Sequence, residues 1–146
     1  MKTISYKGKI ADGSLTKITL RTIKGKIGYK INKFQIMPNN SSNNYEITTK
    51  IYSVKQTTVD SIVDFSDDTL LAAAFTGLIS GGYAGAKTII QDNTIFNQDI
   101  YITAEDLSAS QDTNYYLELE QIQLSDLEAT MATLKDIRSI EDDMHV

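Results

Sequence analysis

The sequence predicts an all-β fold: an antiparallel β-sandwich with one short central helix and one short C-terminal helix. Three observations support it. Short runs rich in Ile, Val, Thr and Tyr recur along the chain, turn-forming residues separate them about every eight to twelve residues, and helical periodicity is confined to two short segments. About eight strands are expected, a number that fits a jelly-roll-like sandwich as well as other sandwiches, so the patterns leave the topology open.

The first predicted strands surround an Asp12-Gly13 turn. Residues 6–10 and 15–21 are extended runs on either side of it, and Asp-Gly between such runs favours a hairpin of two antiparallel strands. A third strand begins at 26–31, where apolar and polar residues alternate. The alternation changes phase near Asn32-Lys33, which predicts a β-bulge at that point.

The middle of the chain mixes strand and helix signals. Residues 45–54 and 62–65 are rich in residues that favour strands. Residues 70–75, LLAAAF, follow a group of N-cap residues at 66–69 and contain three alanines, so we expect the short central helix here. The glycines that follow predict a mobile loop over 77–86.

That glycine-rich stretch, LISGGYAGAKT, resembles a phosphate-binding loop, but its spacing differs. A phosphate loop places its lysine directly after the last glycine and at the start of a helix. Here Ala86 separates Gly85 from Lys87, and β-branched residues follow the lysine. We therefore expect a flexible connection rather than a nucleotide site.

The second half of the chain adds further strands and the C-terminal helix. Residues 87–91, 95–103 and 115–124 are predicted strands, and a phase change within the last of them predicts a second bulge or a bend. Ser125 and Glu128 have the spacing of a capping box, which marks a helix start. Apolar residues then recur at helical spacing: Leu127, Met131, Leu134 and Ile137.

Length predicts one domain. With 146 residues, we assign residues 1–140 to a single β-sandwich and residues 141–146 to a frayed acidic tail. No apolar stretch follows the lysines near Met1, so no secretion signal is recognisable, and we expect the protein to accumulate in the cytoplasm where it is made. No segment is long and apolar enough to suggest a membrane span.

The charges are divided along the chain. The net charge is −5, but residues 1–55 carry 11 − 2 = +9 and the remainder carries 3 − 17 = −14. Such a division suits pairing of opposite charges within a chain or between copies better than nucleic-acid binding, because few aromatic residues accompany the lysines. The predicted interface residues are Lys26, Lys30 and Lys33 on the basic side and Glu118 and Glu120 on the acidic side.

The sequence contains few of the residue types that usually act in catalysis. The chain has no cysteine, and its one histidine, His145, lies next to the C-terminal residue, so we predict no enzyme, no metal and no cofactor. Glu118 and Glu120 share one face of a strand and could act as paired carboxylates. Alternation of Glu with Leu is also typical of a strand with one solvated face, and we favour that interpretation.

Two binding alternatives remain. Asp64, Asp67 and Asp68 offer oxygen ligands for calcium, but they lack the ordered spacing of a calcium loop, and helix capping explains them more simply. Tyrosines could line a sugar site in a soluble ligand-binding module. Those considered are Tyr101, Tyr115 and Tyr116.

Three segments carry a family resemblance: residues 51–74 (IYSVKQTTVDSIVDFSDDTLLAAA), 92–103 (DNTIFNQDIYIT) and 114–138 (NYYLELEQIQLSDLEATMATLKDIR). They resemble a group of small uncharacterised proteins encoded by marine tailed bacteriophages and related metagenomic viruses. The likeness is one of strand sequences and contains no catalytic motif. It implies a virion structural protein from the head and capsid gene region.

On this basis we expect a capsid-associated decoration or cement subunit in the virion. Its expected partners are the major capsid protein or other virion proteins, together with further copies of itself in a homo-oligomer. A neck, tail or fibre-adaptor component is the alternative within the virion. A soluble carbohydrate- or ligand-binding sandwich is the alternative outside it.

Overall fold

Eight antiparallel strands and one helix make up the structure, a computed structural model that describes residues 2–42, 44–79, 83–91 and 94–144. The strands, in chain order, are β1 (Lys2–Ile10), β2 (Ser14–Ile18), β3 (Ile27–Pro38), β4 (Tyr45–Tyr52), β5 (Leu70–Ile79), β6 (Tyr83–Ile90), β7 (Ile100–Asp106) and β8 (Thr113–Gln123). The helix α1 is Asp126–Met144. The predicted all-β, sandwich-like class is confirmed.

The strands form two sheets. One sheet has three strands in the order β1-β8-β3, and the other has five in the order β2-β7-β4-β5-β6. The pairing is nested, because β1 pairs with β8 and β2 pairs with β7. Strands from the two ends of the sequence therefore lie side by side in both sheets.

The core lies between the two sheets and takes alternate residues from each strand. Leu117 and Leu119 of β8 point inward from the three-stranded sheet, and Ile51 and Ile102 from the five-stranded sheet, all fully buried. Successive side chains of a strand point to opposite faces, so the residues between these point to the outer faces of the sheets. The outer faces are where the two sheets differ.

The predicted central helix is wrong: residues 70–75 belong to strand β5. They pair with β4 on one side and with β6 on the other. Alanine favours helix only weakly, and two neighbouring strands supply more hydrogen bonds and packing than an isolated helix of six residues would gain. The Asp64 and Asp67 carboxylates do not cap a helix but accept hydrogen bonds from Ser66 and Thr69 in local turns.

The predicted loop over 77–86 is also largely strand. β5 continues to Ile79 and β6 begins at Tyr83, so the two form a hairpin, while residues 80–82 lie outside the described part of the chain. Lys87 is in the middle of β6 rather than at the start of a helix. The phosphate-loop geometry is therefore absent from the described residues of β5 and β6.

The Asp12-Gly13 turn does not make a hairpin. β1 and β2 flank the turn as predicted, but they belong to different sheets. The Asp12 carboxylate accepts the Asp106 N–H at 2.7 Å, and the Gly13 N–H donates to the Ala104 carbonyl. These bonds attach the turn to the end of β7, so the chain crosses from one sheet to the other here.

Some of the other local predictions are confirmed and others are wrong. The β3 bulge is confirmed by a register shift between Ile31 and Lys33. β8 has no extra residue of its own in its pairing with β1 or β3, so the second bulge is wrong, and the alternative of a bend in β8 stays a prediction. Residues 62–65 are not a strand but part of a long connection between β4 and β5. The capping box is confirmed, and α1 runs through the predicted tail as far as Met144.

Candidate assembly surfaces

A buried lysine fixes the long connection against the outer face of the five-stranded sheet. Lys50 of β4 is 3% exposed, and its Nζ donates to Asp60 Oδ1 at 2.8 Å and to the Ile62 carbonyl at 2.6 Å. The ammonium also lies 5.5 Å from the centre of the Tyr52 ring. The segment between β4 and β5, residues 53–69, is thereby held over the sheet, and we call it the cover segment.

The environment of this lysine keeps it charged. Burial alone would lower the pKa of Lys50, but its interactions with Asp60 and Tyr52 raise the pKa above the ordinary value. The same hydrogen bond lowers the pKa of the Asp60 carboxyl. A protonated lysine is a poor nucleophile, so this pair is suited to holding the cover segment in place rather than to chemistry.

An apolar groove of about 550 Å³ lies between the cover segment and the hairpin of β5 and β6. Its large apolar side chains come from three parts of the chain and are between 38% and 59% exposed. They are Val63, Phe65, Phe75, Ile89 and Leu107. We call this surface the apolar groove. Gly77 helps to form it, because a Cβ at this position would lie 2.8 Å from the Phe75 ring.

Asp106 organises the rim of the apolar groove. It ends β7 next to Leu107, and its Oδ1 accepts hydrogen bonds from the N–H groups of Glu46, Ser108 and Ala109 at 3.0 to 3.1 Å. Burial alone would raise the pKa of the Asp106 carboxyl, but these backbone donors hold it below the ordinary value. The carboxylate thus fixes the turn that carries Leu107.

Strand β6 is an open edge next to the groove. It pairs with β5 on one side, and no described strand pairs with its other side. Between Gly85 and Ile89 its residues are half-buried or exposed, and Lys87 is the only charged residue in the strand. An open edge offers unpaired N–H and C=O groups to a strand from another chain.

Helix α1 presents a second apolar surface. Ala129 is buried against the body, while Leu127, Met131 and Leu134 are 70%, 62% and 55% exposed. We call these three residues the α1 stripe. The sequence predicted an apolar helix face, and the structure turns these three of its residues towards solvent, while the side chain of the fourth, Ile137, lies outside the described part of the chain.

Small and polar groups hold the helix in this orientation. Asn97 is fully buried, and its Nδ2 donates to the Gly25 carbonyl at 3.0 Å and to Thr133 Oγ1 at 2.7 Å. Gly25 has a φ of 64°, and a Cβ there would lie 3.0 Å from the Asn97 amide. Lys26 adds an ion pair with Asp126, with a Nζ–Oδ1 distance of 2.7 Å.

The predicted interface residues are neighbours within one chain. On the outer face of the three-stranded sheet, Lys30 is opposite Glu120 and Lys33 is opposite Glu118 in the register of β3 and β8. Lys26 lies apart, paired with the start of α1. The face is solvated, and its opposite charges lie next to one another. A role for these five residues between subunits stays a prediction.

The carboxylates considered for catalysis lie on this same solvated face. Tyr116 Oη donates to Glu118 Oε2 at 3.3 Å, and Lys30 and Lys33 stand beside the two glutamates. Within the described part of the chain, no group of three or more Asp, Glu, His or Cys side chains is placed to hold a metal ion. His145 is not among the described residues.

The three tyrosines considered for a sugar site lie on different surfaces. Tyr115 packs against the core, and burial raises its pKa. Tyr116 points to the solvated face of the same sheet. Tyr101 lies in the other sheet, opposite Lys17 and Tyr52. They do not form one aromatic platform, which disfavours the sugar-binding alternative.

Comparison with known proteins adds no identity: no protein-family model matches the chain, and no curated protein matches it significantly. Among the described residues there is no helix with the length and hydrophobicity needed to cross a membrane.

Proposed function

We propose that this chain is a structural component of a bacteriophage virion, a decoration or cement subunit that binds between major capsid proteins of the head. The resemblance of its strand segments points to a virion. The single observation that carries the proposed mechanism is the apolar groove beside the open β6 edge, a surface suited to burial against a neighbouring protein.

The groove and the edge would act together in binding. A segment of a neighbouring capsid protein would pair with β6 through backbone hydrogen bonds and place apolar side chains in the groove, as in other cases of strand addition. Burying apolar surface contributes about 25 cal/mol per Å², so the five groove side chains can supply several kcal/mol before the costs of ordering. Repetition over a symmetric shell multiplies weak contacts.

The strand order is also consistent with this role. The nesting of β1 with β8 and of β2 with β7 is an arrangement we interpret as jelly-roll-like. Jelly rolls occur in viral capsid proteins and in lectins, among others, so the fold supports the proposal without selecting it.

The first test is quantitative mass spectrometry of purified particles of the virus that encodes the chain, scaled to the major capsid protein. A copy number equal to that protein or a simple fraction of it is expected. About a dozen copies would move the protein to the neck, tail or a fibre adaptor. Absence from particles would reject a virion role and favour the ligand-binding alternative.

A second test addresses the groove itself. Particles that lack the chain are incubated with purified protein, and the bound fraction is measured after sedimentation. Phe65→Ser should reduce binding, because Phe65 is 58% exposed in the groove and contributes little to the core. Ile23→Ser is the matched control, since Ile23 is fully exposed and does not line the groove. Equal binding by both variants would reject the groove as the contact.

A further inference from the structure

The α1 stripe calls for a partner. A surface helix normally turns its large apolar residues towards the core. Among the residues of α1 whose side chains the structure describes, those facing the body are the small Ala129 and the polar Thr133, and the ion pair of Lys26 with Asp126 and the hydrogen bonds of Asn97 hold that orientation. Leu127, Met131 and Leu134 are therefore kept on the outside by specific contacts rather than left there by a loosely attached helix.

The charges beside the stripe indicate what kind of partner fits. Glu128 lies three positions before Met131 and Lys135 lies four positions after it, and both are exposed. Residues at these spacings are one helical turn away from Met131, so Glu128 and Lys135 lie on the same flank of the stripe. The flank carries a negative charge at one end and a positive charge at the other.

We propose that α1 is a self-association surface, on which the stripe of one chain packs antiparallel against the stripe of a second copy. When two identical helices pack antiparallel about a two-fold axis, the same flank of each meets at the interface. With the axis near Met131, Glu128 of each copy lies opposite Lys135 of the other. Two complementary pairs form at once, and the apolar residues meet between them.

A parallel pair lacks this complementarity. Parallel packing brings opposite flanks together and leaves Glu128 beside the other side of the second helix. Lys135 also has an interaction within its own chain, and its ammonium has three donors, so it can serve both. The opposite charges thus select the antiparallel direction, while burial of the stripe supplies the attraction.

The dimer is expected to be weak. Three apolar side chains per helix form an interface at the small end of the range for specific complexes, so the dimer dissociates on dilution. The stripe shares no residue with the apolar groove, so self-association leaves the groove open. The inference does not depend on the proposed role in a virion.

Analytical ultracentrifugation over a range of concentrations tests the association. We expect a monomer–dimer equilibrium whose Kd rises at least about tenfold in Met131→Ser, because each dimer loses two apolar side chains at its centre. Ile23→Ser should leave the Kd unchanged. Met131 is 62% exposed, so its replacement leaves the fold intact, which circular dichroism verifies. A wild-type chain that stays monomeric at high concentration would overturn the proposal.

Cysteine cross-linking tests the direction, since the chain has no cysteine of its own. Met131→Cys should form a disulfide-linked dimer on oxidation. Leu127→Cys should not, because in the antiparallel pair its two copies are roughly 12 Å apart along the axis at 1.5 Å per residue. A mixture of Leu127→Cys and Leu134→Cys should cross-link. Efficient linking of Leu127→Cys alone would overturn the antiparallel arrangement.

Exchanging the charges of Glu128 and Lys135 tests their contribution to dimerisation separately from that of the apolar α1 stripe. Lys135→Glu should weaken the dimer, because Glu128 then faces a like charge. Combining it with Glu128→Lys restores opposite charges across the interface but removes the acceptor of the Ser125 N–H at the cap of α1, so the Kd should recover to a value below that of Lys135→Glu alone. Lack of recovery in a double variant that retains its helix content would reject the pairing of these two positions.

Discussion

Lys50 and Lys33 both lie on the outer face of a sheet, yet their surroundings differ. Lys33 is exposed beside Glu118 in the three-stranded sheet. Lys50 is 3% exposed beneath the cover segment and makes two short hydrogen bonds. The comparison shows that the outer face of the three-stranded sheet is exposed to solvent, whereas the cover segment packs on the outer face of the five-stranded sheet.

The difference also locates the surfaces available to partners. The solvated face contains opposite charges that lie next to one another within the chain, so a neighbour gains little by covering it. The covered face ends in the apolar groove and the β6 edge, where apolar atoms and backbone groups remain exposed. The exposed apolar surface on which the proposed binding depends therefore belongs to the larger sheet.

The largest expected effect comes from Lys50→Met. The substitution keeps an unbranched side chain but removes the ammonium that donates to Asp60 and to the Ile62 carbonyl, so the free energy of unfolding should fall by about 2 kcal/mol. Urea denaturation measures the loss, and hydrogen exchange should rise in residues 53–69. Lys33→Met is the control and should change stability by less than about 0.5 kcal/mol. Equal losses at the two positions would contradict the comparison.

A smaller effect is expected at Asp106. Replacement by Asn puts an amide N–H₂ next to backbone donors and should cost about 1 to 2 kcal/mol at neutral pH. Because the pKa of Asp106 is lowered in the folded protein, its contribution is complete above the ordinary carboxyl pKa and is lost as pH falls through the folded value.

The pH dependence provides the measurement. Stability of the wild type should fall as pH drops below about 4, and Asp106→Asn should show a shallower fall over the same range. Asp68→Asn, at an exposed position of the cover segment, is the matched control and should follow the wild type. Parallel curves for wild type and Asp106→Asn would show that another carboxylate governs acid unfolding.

The smallest effect is expected on the solvated face. Glu118→Gln and Lys33→Gln should each change the free energy of unfolding by less than about 0.5 kcal/mol, since exposed pairs are weak and screened by salt. A double-mutant cycle measures their coupling. If these residues also bind a neighbouring subunit, raising salt should weaken assembly, and assembly that is indifferent to salt would exclude them from the interface.

The regular parts of the fold were predictable because their signals are local. Alternation identified β3 and β8, the phase change at Asn32-Lys33 identified the bulge, and Ser125 with Glu128 identified the start of α1. Each depends on residues within a few positions of one another. Sheet membership does not: the Asp12-Gly13 turn has a hairpin sequence but connects two sheets, because β7 and β8 offer partners about a hundred residues away.

The candidate site was mostly missed for the same reason. Nothing in residues 45–52 shows that Lys50 is covered, since the residues that cover it follow ten or more positions later and are rich in polar side chains. The alanines of β5 favoured helix, yet small side chains leave room for the cover segment over the sheet. The position of Lys50 between β-branched residues in the middle of a strand was the one sequence signal for the burial of this lysine.

The nested strand order has a consequence for synthesis. Ile10 of β1 pairs with Thr113 of β8, so 113 − 10 = 103 further residues must be translated before the first strand meets its partner. At about 5 to 20 residues per second, that wait is on the order of ten seconds. Until then β1 and β2 emerge from the ribosome without neighbours, and their lysines protect them from pairing with other nascent chains. Folding of this protein is therefore completed only after its last strand has been made.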